Sequence, residues 1–466
     1  MQRILAIAWL TWKAALRFKL FLVIAVLLIL AVVGLPLVIK DDGTASGFTQ
    51  IILTYTLSAI TALLGLSTLW LACGTLARDI EECQIQVVAT KPIARWQIWL
   101  GKWLGIVSLN AALLAISGGC VFGLLQWRAT KLPAAEQTIL RTQILVARGS
   151  AKEPDKTAFI DAETERILLE RLKTSPVDKV NVPEVRRVIH EGVKADSQLV
   201  PPGYPHTWRI NLGFAKNYLR GRPLQLRVKF NTAQYAPSAT YVALWELGVP
   251  GKTKSVRLEP MSLAADSETS HAFHEFEIPP DLFDENGLLT ITFYNPNQTT
   301  LLFPLEDGME VLYPEGGFTL NFARGLGIIF CWMALLAALG LAAASLLAFP
   351  VATFFALSML LVVFSSGTLA ESVDSGSVAT GNAEKGIAGH SMADGVLIPA
   401  FKGILTVVSL AKDFSPIDAL SSGRSITWSE LGLAFGQIVL LLGGFFAVAG
   451  VFFFSRRELA TAQGTQ

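Results

Sequence analysis

The sequence predicts an α-helical integral membrane protein with six transmembrane helices and an extracytoplasmic α+β domain that contains a β-sandwich. Its 466 residues are 52% hydrophobic and only 16% charged, whereas a soluble domain normally carries about a quarter charged residues. Apolar runs of about 20 residues, the length needed to cross a bilayer, lie toward both ends of the chain. The segment 126–324 between them is polar, and its second half alternates apolar and polar residues as strands do.

Residues 1–19 are predicted to form an amphipathic helix at the inner membrane face. On a helical wheel the apolar residues share one side and the basic and amide residues the other: Ile4, Leu5, Ala8, Trp9, Trp12 and Leu16 against Gln2, Arg3, Lys13 and Arg17. Tryptophan is common at headgroup level, which favours this placement. A cleaved signal peptide is the competing interpretation, but no convincing small-x-small cleavage site follows Val38.

Residues 20–125 hold three predicted transmembrane helices: about 20–38, 51–76 and 102–125. A polar segment, residues 78–101, separates the second from the third. Four basic residues lie in it or next to it: Arg78, Lys91, Arg95 and Lys102. An excess of Lys and Arg is typical of cytoplasmic loops, so we place this segment inside. We expect a short helix at about 78–90, because Pro92 disfavours helix beyond Thr90.

Residues 126–324 are predicted to be an extracytoplasmic domain, since three crossings follow a cytoplasmic N-terminus. Its first part, about 134–195, has helical stretches at Glu163–Leu172 and Pro183–Glu191. Its second part, about 205–320, is predicted to be β-rich. The expected strands are Leu224–Phe230, Tyr241–Leu247, Ser255–Leu258, Ala272–Ile278 and Leu288–Tyr294. Turn residues separate these short runs, a pattern that indicates a small β-sandwich.

The rest of the chain returns to the membrane. Residues 325–370 hold the fourth and fifth predicted transmembrane helices, which Pro350 separates. Residues 371–429 form an outer loop whose apolar part, 396–410, is too short for a comfortable crossing and indicates a re-entrant or interfacial segment. The sixth helix is expected at 430–455. The tail 456–466 begins with Arg456 and Arg457, which places the C-terminus in the cytoplasm beside the N-terminus.

Several classes of chemistry have no pattern in this sequence. No Gly-x-x-x-x-Gly-Lys-Ser/Thr occurs, so the chain carries no P-loop of its own. The predicted spans have no ionisable residue near their centres, which argues against an ion-coupled carrier. Hydroxyl and amide groups on the second and third spans either line a substrate path or join helices. We predict no enzyme active site, no cofactor and no metal site; His271 and His274 are an odd distance apart and would face opposite sides of a strand.

The polar segment 78–101 and the chain end resemble a known family. Acidic residues after Arg78, the run Lys91-Pro-Ile-Ala-Arg-Trp96, and Gly101-Lys102 opening the next span resemble ABC-2-type transporter permeases. The similarity is greatest to the branch that includes the permease of the copper-enzyme maturation system. The ending Ser455-Arg-Arg-Glu-Leu459 is similar too, and the resemblance covers the membrane portion, roughly half the chain.

In that family the corresponding loop contains the coupling helix, on which a separate ATPase subunit docks. The resemblance therefore implies that the docking residues lie in this segment: Arg78, Asp79, Glu81, Glu82, Gln84, Gln86, Thr90, Pro92 and Arg95. It also implies transport, mostly export, by a homodimer or a pair of paralogous permeases in the bacterial inner membrane.

A second interpretation needs no transport. The extracytoplasmic domain could bind a periplasmic protein or a glycan, and the chain would then be a mechanotransmitting or surface-binding membrane protein. Both interpretations share the lipid bilayer as a partner and neither involves nucleic acid. A path of polar side chains between the spans would distinguish them, and the sequence leaves this open.

Overall fold

A computed structural model describes the fold of residues 2–17, 19–38, 44–82, 93–174, 182–232, 240–264, 274–305, 307–374, 394–412 and 414–457. The chain divides into two compact units. We call Met1–Ala147 together with Gly316–Gln466 the helical unit, and Arg148–Glu315 the β unit.

The helical unit contains the apolar helices. Its first four are α1 (Gln2–Arg17), α2 (Lys19–Ile29), α3 (Leu57–Glu81) and α4 (Arg95–Ala129). A short helix α5 (Ala134–Ile139) follows, and the second half of the unit contains α9 (Phe318–Leu346), α10 (Phe349–Phe364), α11 (Ser366–Asp374), α12 (Asp394–Lys412), α13 (Pro416–Ser421), α14 (Trp428–Ala434) and α15 (Gly444–Arg456). Shorter helical pieces extend several of these helices. They are Leu30–Gly34 and Leu35–Val38 after α2, Ala45–Thr49 and Gln50–Thr56 before α3, Leu140–Ile144 after α5, and Phe435–Gly443 between α14 and α15.

Among the described residues, four helical stretches are long and apolar enough to cross a membrane: Gly47–Glu81, Arg95–Ala129, Phe318–Leu346 and Trp428–Arg456. They include the predicted second, third, fourth and sixth spans. The predicted first and fifth spans contain the shorter apolar helices Val23–Gly34 and Phe349–Phe364. The chain therefore has the apolar helices of a membrane protein, four of them of full spanning length.

The centre of the helical unit is the packing of α3 on α9. A Cβ at Gly340 would lie only 2.6 Å from the Cβ of Ala72, so glycine is needed for this close approach. The Cys73 thiol contacts the Gly340 carbonyl oxygen at 3.5 Å. Small residues at helix crossings let backbones approach and gain dispersion contacts, which is how helices associate in lipid.

The β unit combines three antiparallel sheets with two principal helices, α6 (Thr157–Thr174) and α7 (Val182–Asp196), and a single turn α8 (Lys216–Leu219). Its strands are β1 (Val146–Lys152), β2 (Leu199–Val200), β3 (Pro205–Asn211), β4 (Leu224–Val228), β5 (Asn231–Thr232), β6 (Thr240–Leu247), β7 (Val256–Arg257), β8 (Met261–Ala264), β9 (His274–Ile278), β10 (Leu288–Tyr294), β11 (Leu301–Leu302) and β12 (Met309–Gly317). The sheet orders are β1-β12-β4-β9, β3-β10-β6-β7 with β8 also pairing β6, and β2-β11-β5.

The two larger sheets share one core, the packing expected of a β-sandwich. Apolar and polar residues alternate along β4, and successive side chains of a strand point to opposite faces. Leu224, Leu226 and Val228 therefore share the inner face, where they are fully buried. They join a cluster that also holds Ile291 of the other sheet. Across the interface the rings of Trp245 and Phe276 lie 5.8 Å apart. The alternation in the sequence is thus explained by one buried and one polar face on each sheet.

All five predicted strand segments contain an observed strand, and both predicted helical stretches lie within α6 and α7. The first part of the polar region is not wholly helical, however, because β1 runs through Val146–Lys152. Its Ala147-Arg-Gly-Ser150 run has no strong strand signal. β1 nevertheless pairs with β12 at the edge of its sheet. Arg148 is buried there and its guanidinium lies 2.8 Å from the carboxylate of Glu275, so contacts distant in sequence hold this strand.

Candidate functional site

The predicted docking residues fall at the junction of α3 and α4. Arg78, Asp79 and Glu81 form the last turn of α3, Glu82 ends it, and Arg95 is the first residue of α4. The remaining docking residues lie outside the described part of the chain: Gln84, Gln86, Thr90 and Pro92.

The first turn of the helix predicted at about 78–90 is not a separate element. Residues 78–81 continue α3 without a break, and the turn at Glu82 follows them. The physical reason is that no helix-breaking residue separates the apolar span from the acidic residues that follow it. The rest of that predicted helix, 83–90, lies outside the described residues.

Lys102 joins α4 to the end of α3. Its ammonium lies 2.5 Å from the carboxylate of Asp79 and donates a hydrogen bond of 2.9 Å to the Thr75 carbonyl oxygen. Only 6% of Lys102 is exposed. A buried ammonium needs a charged partner and hydrogen-bond acceptors, and both come here from the C-terminal turns of α3, where the helix dipole also favours a cation.

Glu81 and Arg78 hold the start of α10. The Glu81 carboxylate accepts a hydrogen bond of 2.9 Å from the backbone N–H of Phe349. The guanidinium of Arg78 lies 4.5 Å from the centre of the Phe349 ring. An acidic side chain at a helix N-terminus satisfies an unpaired N–H group and the positive end of the dipole. Glu81 is therefore a cap of α10.

Arg95 caps the last helix. One guanidinium nitrogen donates to the carbonyl oxygens of Phe454, Ser455 and Arg457 at 2.8, 2.8 and 2.9 Å. Arg457 in turn donates to the carbonyl oxygens of Ala344 and Ser345, at 3.2 and 3.4 Å, at the end of α9. Both arginines satisfy carbonyl groups that a helix C-terminus leaves without partners.

These contacts define a helix-end cluster: Arg78, Asp79, Glu81, Arg95, Lys102 and Arg457. It joins the adjacent ends of α3, α4, α9, α10 and α15. Four of its members were predicted as docking residues from the sequence. In the sequence Lys102 and Arg457 are positive charges and parts of the family resemblance, not docking residues, and their roles here depend on carbonyl groups distant in sequence. No sequence pattern identifies such acceptors.

The polar groups inside the bundle mainly join or close helices. The Asn110 side-chain amide donates to the Thr68 hydroxyl at 2.8 Å, linking α4 to α3. The indole N–H of Trp12 donates to the Ser108 hydroxyl at 2.8 Å, linking α1 to α4. Thr68 also donates to the carbonyl oxygen one turn earlier in its own helix. These contacts favour the helix–helix interpretation of the hydroxyl groups over a polar path.

The opposite end of α9 is held by its own polar contacts. The side-chain amide of Asn321 donates to the Arg424 carbonyl at 2.6 Å, and its oxygen accepts from the Ile426 N–H at 2.7 Å. Glu136 accepts from the N–H of Ala45 at 2.7 Å. The structure thus fixes both ends of the bundle with hydrogen bonds between segments distant in sequence.

Comparison of the chain with protein-family models, curated proteins and solved structures gave no match.

Proposed function

We propose that the chain is the membrane-spanning permease subunit of an ATP-binding cassette transporter. Its segment 78–95 docks a separate ATPase subunit, and it works as a homodimer or with a paralogous permease. The observation that supports this most is the helix-end cluster. Asp79 and Glu81 lie at the start of the docking segment, Arg95 lies at its end and Lys102 follows it. Each of these residues is bonded to a different part of the bundle.

Such anchoring suits a loop that receives force. A displacement of the loop pulls on Asp79 and Arg95, and their charged hydrogen bonds carry it to α4, α15 and, through Arg457, α9. Rigid elements joined by strong contacts move together, so a closing ATPase dimer would tilt several spans at once. The outward direction of transport rests on the family resemblance alone.

The proposed topology has six crossings with both termini in the cytoplasm of a bacterial cell and the β unit outside. Four helices of the described chain have the length and composition that four of these crossings need. α2 with its extensions to Val38, and α10, would supply the other two crossings. Short apolar helices can span where the bilayer thins or where flanking residues reach the interface.

The test is a mild-detergent pull-down of the tagged chain from its native host, with the co-purifying proteins identified by mass. We expect an ABC ATPase at one copy per permease. Glu82→Lys should then reduce its recovery at least tenfold, because Glu82 is exposed at the start of the loop. Glu285→Lys in the β unit is the matched control and should leave recovery unchanged. Recovery without any ATPase would reject the proposal.

The alternative is a membrane protein whose β unit binds an outer protein or glycan without transport. It is favoured by the β unit being compact, with its own core of buried aromatic and aliphatic residues. It is also favoured by the polar groups of the bundle, because Asn110 and Trp12 join helices and do not form a polar path. The same pull-down distinguishes the two, because an outer protein or glycan recovered in place of an ATPase supports this alternative.

A further inference from the structure

The helical unit contains a partly enclosed cavity of about 210 Å³ between α1, α2, α3 and α4. Its longest wall is one face of α3. Residues three and four positions apart share a face of a helix. The lining residues of α3 have this spacing: Ser67, Trp70, Leu71, Gly74, Thr75 and Arg78. We call this cavity the α3 slot.

The lining of the slot extends along α3. Ser67 and Arg78 are eleven residues apart, which at about 1.5 Å per residue is about 16 Å along α3. That is close to half of the roughly 30 Å thickness of a bilayer's hydrocarbon core. The slot therefore has the length of one leaflet.

The wall of the slot is chemically apolar. Leu71 of α3, Leu109 and Leu113 of α4 and Ile24 of α2 all line it. The polar groups in the wall already have partners. The Ser67 hydroxyl donates to the Leu64 carbonyl and the Asn110 amide to Thr68. An occupant that offers no hydrogen bonds fits such a wall, as apolar ligands enter the dry cavities of proteins.

One end of the slot carries a cation. Arg78 lines it at the level where α3 ends, next to Phe349. A guanidinium has five N–H donors, so it can bind phosphate oxygens in addition to the contacts it already makes. Trp70 lies in the wall with 43% of its surface exposed, and its ring meets Phe349 edge-on at 5.4 Å.

We propose that the α3 slot holds one acyl chain of a membrane phospholipid, with the lipid phosphate at Arg78. The apolar wall of the slot matches the acyl chain of a phospholipid. Arg78, at the level where α3 ends, matches the phosphate, which follows the chain along the membrane normal. Basic pockets between transmembrane helices are known to bind lipid headgroups. This role needs no ATPase, and it assigns to Arg78 a ligand other than a docking partner.

The test is photo-crosslinking of the full chain in nanodiscs. The probe is phosphatidylglycerol with a diazirine in one acyl chain, and diacylglycerol with the same chain is the control that lacks the phosphate. The measured quantity is labelling of residues 67–78 and 109–113 divided by labelling of the apolar exposed stretch 440–448. We expect phosphatidylglycerol to give at least a fivefold higher ratio than diacylglycerol.

Two variants separate the chain site from the phosphate site. Leu113→Trp fills the slot and should lower the ratio at least fivefold, whereas Ile116→Trp, on an exposed position of the same helix, should not. Arg78→Gln should lower the phosphatidylglycerol ratio to the diacylglycerol level. Thermal unfolding of each variant shows that it is folded.

Three outcomes would overturn the proposal. Equal labelling by the two probes in the unmodified chain would reject the phosphate contact. A ratio unaffected by Leu113→Trp would reject the slot as the binding place. Absence of labelling at residues 67–78 and 109–113 by both probes, while the stretch 440–448 is labelled, would reject an acyl chain in the slot.

Discussion

At the scale of single residues, this chain uses charge mainly to hold helix ends. Arg95 and Arg457 donate to carbonyl oxygens at a helix C-terminus, and Glu81 accepts from an N–H at a helix N-terminus. These three contacts satisfy backbone groups that a helix end leaves without a partner. Lys102 donates to the carbonyl oxygen of Thr75, six residues before the end of α3. Residues predicted as a docking surface are therefore also structural.

The Asp79–Lys102 pair gives the first prediction. Asp79→Ala leaves the buried ammonium of Lys102 without its counter-charge. Removing one partner of a fully buried pair costs about 3–5 kcal/mol, and since 35% of the Asp79 side chain is exposed we expect about 2 kcal/mol. Thermal unfolding in detergent measures the loss, which should appear as a lower Tm.

A double variant is the control for this pair. Asp79→Ala with Lys102→Met removes both charges, so the penalty of the unpaired ammonium disappears. We expect the double variant to be more stable than Asp79→Ala alone. Lys102→Met is measured alone as well. If the stability losses of Asp79→Ala and Lys102→Met simply add in the double variant, the two residues are not coupled.

His206 gives a prediction of pH dependence. Burial, followed by the nearby charge of Lys156, lowers the pKa of His206 below its usual 6.5. Its ring lies 4.4 Å from that of Trp208. The unfolded chain therefore takes up a proton at a higher pH than the folded chain does. The contribution of neutral His206 to the free energy of unfolding is fully present above pH 6.5. It is lost as the pH falls through the pKa of His206 in the folded protein, which is lower.

We expect His206→Phe to reduce the fall in Tm between pH 7 and pH 5, because phenylalanine keeps the aromatic contact and cannot be protonated. Thermal unfolding across this range is the measurement. His190→Asn is the control, since His190 is half-buried and its ring lies 3.5 Å from the carboxylate of Asp161, away from Trp208. An unchanged pH slope in His206→Phe would show that His206 does not cause it.

At the scale of elements, the N-terminal helix shows how packing changes a sequence interpretation. The predicted helix is confirmed as α1, yet the apolar residues do not all share one environment. Ile7, Ala8, Thr11 and Ala15 are buried, whereas Leu5, Trp9 and Leu16 are more than half exposed. The buried face lies on two glycines of α4. We expect the exposed apolar face to contact lipid at the interface.

Those glycines give the element-scale prediction. A Cβ at Gly101 would lie 2.7 Å from the Cβ of Ile7, and one at Gly105 would lie 2.7 Å from that of Thr11. Gly101→Leu and Gly105→Leu should each push α1 from α4 and cost about 1–3 kcal/mol by overpacking. Limited proteolysis near Arg17 and the Tm are the measurements.

Gly119→Leu and Gly123→Leu are matched controls on the same helix. Nothing lies within 4 Å of a Cβ at either position, so both variants should keep α1 protected and the Tm unchanged. Protection of α1 in Gly101→Leu would show that the close approach is not needed.

At the scale of the whole molecule, the testable property is topology. We expect the β unit on the outside and the helix-end cluster in the cytoplasm. In a background without Cys73, Cys83, Cys120 and Cys331, a single cysteine at Glu165 should react with a membrane-impermeant maleimide on intact cells. One at Glu82 or Arg456 should react only after the cells are made permeable. Labelling of all three from outside would contradict the six-span arrangement.

The sequence by itself determined the membrane class, the apolar helices and the five predicted strands, because these depend on local hydrophobicity and its period of 3.6 or 2. Tertiary structure decided what the charges do. Arg95 donates to the carbonyl oxygen of Ser455, 360 residues away. Arg148 of β1 forms an ion pair with Glu275 of β9. The α3 slot likewise depends on four helices meeting. Such contacts follow from how helices and sheets pack, and no local pattern contains them.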